Sequence, residues 1–196
     1  DYLSDSQPVA GNDSPKSPNR ILFVGALSSY HNDFLYKQVN SPRSYDIVLY
    51  GSGLETEKLE GKVDYKGFVS SDELIATAEG EYGLAWYGSS LEGGSGALGE
   101  YLQYNAPHKM SLYIRCGLPI IVWEKAGLAP FVKKNNVGIC ISSLTELEDI
   151  LPKISAGQYM EMKKNVLQIA DKLSHGYYCF KAIKQACADL GVEIKG

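Results

Sequence analysis

The chain is expected to fold as an α/β domain, a parallel sheet with helices on both faces. Three observations predict this. Six short apolar runs, at residues 21–25, 46–50, 63–68, 82–86, 120–123 and 138–141, have the length and composition of strands. Helical segments carrying capping signals separate them, so strands and helices alternate. The first run, Ile21-Leu-Phe-Val-Gly25, is apolar throughout, as in a strand buried on both faces.

Each element follows from local chemistry. Residues 1–19 hold Pro8, Pro15, Pro18 and Gly11 among polar residues and read as a linker or disordered leader, leaving 20–196 as one domain. Asn32 is placed to cap a helix running to about Val39, and Gly51-Ser-Gly53 closes the second strand. Ser70-Ser-Asp-Glu73 has capping-box spacing and opens a helix through Ala78. The strand at 82–86 leads into residues 88–99, which hold five glycines and three serines. A helix follows, with Asn105 as cap, Pro107 early and Gly117 just past its end. Beyond the strand at 120–123 come a short helix near 128–134, the last strand, and a second capping box at Ser143–Glu146. Two amphipathic helices, 158–173 and 177–190, finish the chain.

Composition narrows the function classes. The 196 residues, 44% hydrophobic and 21% charged, suffice for one substantial core. A net charge of −4 argues against nucleic acid as a partner, which would call for a basic stripe. No apolar run approaches the roughly 20 residues of a membrane span. Cys116, Cys140, Cys179 and Cys187 show neither C-x-x-C nor zinc spacing. Three of them read as small core residues, and a reducing, cytoplasmic setting is expected.

The candidate chemistry centres on Lys109. It falls in the first turn of the predicted helix, where free N–H groups and the helix dipole are already positive. A cation there is unfavourable unless an anion sits opposite. The glycine loop immediately upstream lets backbone approach a ligand closely, and together they point to phosphate, above all the diphosphate of a nucleotide. His108 is either a second phosphate donor or a packing residue. There is no G-x-x-x-x-G-K-[ST] motif, and Gly25-Ala-Leu-Ser is not G-x-G-x-x-G. Phe68-Val69 lie between a strand and a capped helix, where Phe68 either stacks on a base or covers the core. Trp86, Tyr87, Tyr101 and Tyr104 flank the loop and suit hydroxylated rings. Glu100 is a carboxylate suited to vicinal hydroxyls. His31 and His175 have no partner set and receive no role.

The run Gly99-Glu-Tyr-Leu-Gln-Tyr-Asn-Ala-Pro-His-Lys109, followed by Gly117-Leu-Pro-Ile-Ile-Val-Trp123, resembles the C-terminal half of a family of bacterial two-domain glycosyltransferases. That family includes the adhesin-glycosylating glucosyltransferases and related galactofuranosyltransferases. The resemblance spans about residues 21–190 and is most specific over 83–145. It implies a Rossmann-like domain, a single half of a GT-B fold, that holds a UDP-sugar donor. Carried over by position, Lys109, His108 and Asn105 would meet the phosphates. Phe68 and Val69 would face uracil, and Ser95, Gly96 and Glu100, with Tyr104 nearby, would line the donor side. No metal or cofactor is implied.

Some positions depart from the family pattern. Gly25-Ala-Leu-Ser-Ser29 lacks the basic residue that often follows, and Trp86-Tyr87-Gly88 replaces Trp-Asp-Gly. Asn105-Ala-Pro107 replaces Asn-Asn-Pro. Glu92 and Glu100 have the separation of a retaining-transferase pair, but Leu112 stands where the second glutamate would lie. The acceptor, a glycan or glycoprotein, would be held by an N-terminal domain missing from this sequence. A fragment of that kind would transfer little alone. A non-catalytic partner subunit and a nucleotide-binding regulatory module of the same fold remain alternatives, and peripheral membrane association and homo-oligomers stay open.

Overall fold

Strands β1 (Arg20–Ala26) and β2 (Asp46–Ser52) pair in parallel, from Arg20 opposite Asp46 to Ala26 opposite Ser52. They belong to a six-stranded parallel sheet in the order β3-β2-β1-β4-β5-β6, completed by β3 (Asp64–Tyr65), β4 (Tyr82–Ala85), β5 (Ile120–Trp123) and β6 (Gly138–Ile141). This computed structural model describes residues 1–8 and 19–192; most of the expected linker and the last four residues lie outside it. The order doubles back at β1, so β1 and β4 start opposite halves of the sheet. Ligands of such sheets bind beyond the strand C-termini at that reversal.

The helices are α1 (Ser29–Asn40), α2 (Ser71–Thr77), α3 (Gly96–Tyr101), α4 (His108–Arg115), α5 (Ala129–Asn135), α6 (Leu147–Ile150), α7 (Ala156–Ser174) and α8 (Tyr177–Asp189). Phe23, Val48, Leu49, Ile120, Ile121 and Val122 form the fully buried centre of the sheet. Burial of such side chains contributes roughly 1.5–3 kcal/mol each and dominates stability. No described helix is long and apolar enough to cross a membrane.

Several local expectations are corrected. The third strand is two residues long, because Gly67 at φ +75° turns the chain off the sheet before Phe68. Helix α1 begins at Ser29 with Ser28 as its cap. Asn32 interrupts it at φ −138°, its side-chain amide donating to the Ala26 carbonyl (2.8 Å). The glycine loop gives up its last residues to α3. The Ser143 capping box forms as expected, around a 3-10 turn at Leu144–Glu146. Of the cysteines, only Cys116 is buried; Cys140 and Cys187 are half-buried and Cys179 is exposed, since α8 buries none of its residues. Residues 1–8 lie against the domain. The buried Arg115 guanidinium donates to the carbonyls of Ser4 (2.8 Å) and Ser6 (2.7 Å), and the Asp1 carboxylate accepts from the Tyr178 amide (3.1 Å).

Candidate functional site

The site is a gap between two strands. β1 and β4 pair at only two positions, Ile21 with Tyr82 and Leu22 with Gly83, and then part. The Tyr113 side chain of α4 spans the opening. Its hydroxyl accepts from the Val24 amide (3.0 Å) and donates to the Leu84 carbonyl (2.9 Å), satisfying groups that would otherwise be stranded. Gly83 makes room for that ring: a Cβ there would lie 2.6 Å from Tyr113 Cδ1.

Lys109 lies four residues before Tyr113, hence on the same face of α4. The residue as a whole is half-buried, but its ammonium is turned inward. Nζ stands 4.2 Å from the centroid of the Phe23 ring of β1 and 4.2 Å from that of Tyr87, just after β4. A Cβ on Gly25 would be 3.6 Å away, so glycine at that position leaves the ammonium open to the end of β1. Burial pushes the Lys109 ammonium down to about 7. Cation–π attraction of roughly 0.5–2 kcal/mol offsets only part of that cost.

No carboxylate among the described residues pairs with Lys109. Glu55 is held by Lys58 and Ser29, which bring its carboxyl down to about 2. Asp33 pairs with Lys37 (2.9 Å), Lys66 joins Glu79 and Asp64 in a network with Arg20, and Glu92 and Glu100 are exposed.

Several helices start at this edge, and α1 and α4 differ there. The first amide of α1, on Ser29, donates to Glu55 Oε1 (2.8 Å), so that start already has its anion. α4 starts at Pro107, which has no side-chain acceptor, and the start carries no acidic residue. Asn105 does not cap α4 as expected; its own amide donates to the Tyr101 carbonyl (3.0 Å), closing the turn that follows α3.

Two cavities flank the gap. One of about 310 Å³ lies over the ends of β1 and β2, with Gly25, Tyr50, Gly51, Phe68 and Val69 in its wall. Phe68 is 78% exposed at its mouth, so it does not cover the core. The other, about 410 Å³, lies between the start of α1 and the glycine loop, lined by Ser29, His31, Gly88, Ser95 and Gly96 among others. Gly25 connects Phe68 and Val69 with Lys109, and Gly88 connects Ser95 and Gly96 with Tyr87. His108, Glu100 and Tyr104 are exposed and Asn105 half-buried, and none of these four lines either cavity. Sequence reasoning missed Phe23, placed Tyr87 only among the aromatic residues that flank the loop, and gave His31 no role. Their approach depends on strand pairing, and no local spacing signals it. Tyr113 had a signal in its four-residue separation from Lys109.

The chain matches the family described as Glucosyltransferase 3-like, C-terminal domain, over residues 21–186. It is 32% identical over 193 residues to the beta-1,6-galactofuranosyltransferase WbbI of Escherichia coli K12, covering 97% of this chain and 56% of that protein. It is 28% identical over 177 residues to glucosyltransferase 3 of Streptococcus gordonii, covering 90% and 50%. The chain thus spans about half the length of these relatives. Among solved structures, sucrose-phosphate synthase from Thermosynechococcus elongatus superposes with a TM-score of 0.63 at 15% identity over 97% of this chain and 51% of that one. Anabaena HepE in complex with UDP gives 0.60 at 14% identity, covering 87% and 48%. These likenesses establish the Rossmann-like fold. The match over most of its length settles the family: this chain belongs to the glucosyltransferase 3-like C-terminal domains.

Proposed function

We propose that this domain holds the UDP-sugar donor of a GT-B glycosyltransferase that transfers a hexosyl or galactofuranosyl group in surface polysaccharide or glycoprotein synthesis. One observation carries the reading: an unpaired ammonium and an uncapped helix start meet at the strand-order reversal, between two cavities. In this reading uracil lies in the smaller cavity against Phe68 and Val69. The diphosphate crosses the gap at Lys109 and the start of α4, and His108 and Asn105 approach it from the helix entrance. The sugar occupies the larger cavity beside Ser95 and Gly96.

Charge develops on the departing UDP as the glycosidic bond breaks. A preorganised ammonium and free amides stabilise that charge without a metal ion. The acceptor and the groups that activate it belong to the part of the relatives' length that this chain does not span. The names of the two curated relatives and the UDP in the HepE complex support this assignment.

Calorimetry with UDP, UDP-glucose, UDP-galactose and ADP tests it. Saturable UDP binding is expected. Lys109→Ala should weaken it by roughly 1.5–3 kcal/mol, the worth of a charge-assisted hydrogen bond, with Lys133→Ala near neutral. Equal losses from both variants, or preference for ADP, would reject the assignment.

A further inference from the structure

Lys109 is held in an uncommon way. Buried lysines are ordinarily paired with a carboxylate. Here two ring faces stand at equal distance from Nζ, one from β1 and one from the segment after β4. The groups facing it from the surrounding elements are not counter-ions. β1 contributes Phe23 and Gly25, and the segment after β4 contributes the Tyr87 phenol, which burial pushes up to about 12. On α4 itself, Tyr113 is committed to Val24 and Leu84, Arg115 to the Ser4 and Ser6 carbonyls, and His108 is exposed. The carboxylates of α1 and of the turn after β2 already have cations of their own.

We propose that Tyr87 and Phe23 are the positioning residues of this site, fixing the Lys109 side chain in a ring cage instead of an ion pair, so that the bound diphosphate becomes its counter-charge and solvent supplies a proton as it docks. The proposal rests on the nucleotide reading and deepens it. A carboxylate at the Tyr87 position would hold lysine permanently charged and would compete with the ligand. Rings fix the geometry without competing. The burial that lets the empty site lose its proton near neutral pH is reversed when a diphosphate arrives, since an adjacent opposite charge favours the ammonium. The balance is simple: the amine takes one proton from solvent as the ligand docks, and no bond is formed or broken.

Calorimetry of UDP binding at pH 8.5, in buffers of differing ionisation enthalpy, reads the proton directly. The terminal phosphate of UDP, with a second pKa of about 6, is fully ionised there and contributes nothing. Wild type should take up close to one proton per UDP, since a group titrating near 7 is mostly neutral at that pH. Tyr87→Phe should keep both uptake and affinity, because the ring is retained. Tyr87→Asp should abolish uptake and weaken UDP binding roughly tenfold, as its carboxylate pairs with Lys109.

UDP binding by wild type without uptake, or wild-type uptake in Tyr87→Asp, would overturn the proposal. NMR titration of the Lys109 side chain in the ligand-free protein separates the two layers. A midpoint near 7 that rises in Tyr87→Asp supports the cage even if UDP fails to bind, in which case the nucleotide reading falls. An ordinary lysine midpoint discards the cage, whatever binds.

Discussion

The Tyr113 ring occupies the space that a side chain on Gly83 would take, and its hydroxyl then joins β1 and β4 just beyond the pairing of Leu22 with Gly83. A built Cβ at Gly83 would lie 2.7 Å from Tyr113 Cβ. Glycine at this point of β4 therefore lets α4 settle deep against the sheet, and that depth brings Lys109, one turn earlier, to Phe23 and Tyr87. Gly83→Ala should force α4 outward. Overpacking of this kind costs about 1–3 kcal/mol, read as a lower urea midpoint, with a weaker affinity for UDP beside it. Unchanged affinity in a folded Gly83→Ala protein would separate the depth of α4 from the site.

Tyr113→Phe keeps the ring and removes the bridge. The Val24 amide and the Leu84 carbonyl then lose their shared partner in a buried setting, a loss of about 1–3 kcal/mol. Hydrogen exchange should report it locally, as reduced protection of the Val24 amide. Protection equal to wild type would show that another group satisfies the amide.

Lys109→Met should stabilise the ligand-free protein, and by an amount that depends on pH. The Lys109 ammonium titrates at about 7 in the fold, against about 10.4 for a free lysine side chain. Between those values the unfolded chain binds a proton that the native state lacks, so wild-type stability gains from rising pH in that window. Below about 7 the native state carries the buried charge and the full penalty. The melting-temperature advantage of Lys109→Met over wild type should accordingly be larger at pH 6 than at pH 9.5. An advantage that grows with pH would mean that Lys109 has a counter-charge in the empty site.

The regular parts of this fold were legible because their causes are local. Residues 120–123 and 138–141 are strands at the expected bounds, and Ser143 and Glu146 form their capping box. Gly117, at φ +73°, ends α4 as expected, with the Leu118 amide reaching back to the Tyr113 carbonyl. What failed has distant causes. α1 starts at Ser29, where Ser28 accepts from the Tyr30 amide and Glu55, from beyond β2, accepts from the first amide. Asn32 has a cap's polarity, but its side chain is spent on Ala26. Asn105 is drawn into the turn after α3. In the site, the position of Lys109 in a first helical turn was readable, and so was the glycine loop beside it. The inward turn of the ammonium was not, since Phe23 and Tyr87 meet only through the pairing of β1 with β4.

Phe68 offers the sharpest separation of binding from stability. Gly67 turns the chain outward ahead of it and leaves the ring 78% exposed at the mouth of the smaller cavity, while Val69 packs against the core. Truncating an exposed ring removes little buried surface, so Phe68→Ala should leave the urea midpoint within about 0.5 kcal/mol of wild type. If the ring stacks on uracil, the same variant should lose roughly 1–3 kcal/mol of UDP affinity, the range measured for base–aromatic stacking. Inorganic pyrophosphate, which has no base, should bind wild type and Phe68→Ala alike, whereas Lys109→Ala should weaken both ligands. A Phe68→Ala loss shared equally by UDP and pyrophosphate would place the base elsewhere and leave Phe68 shaping the phosphate side of the gap.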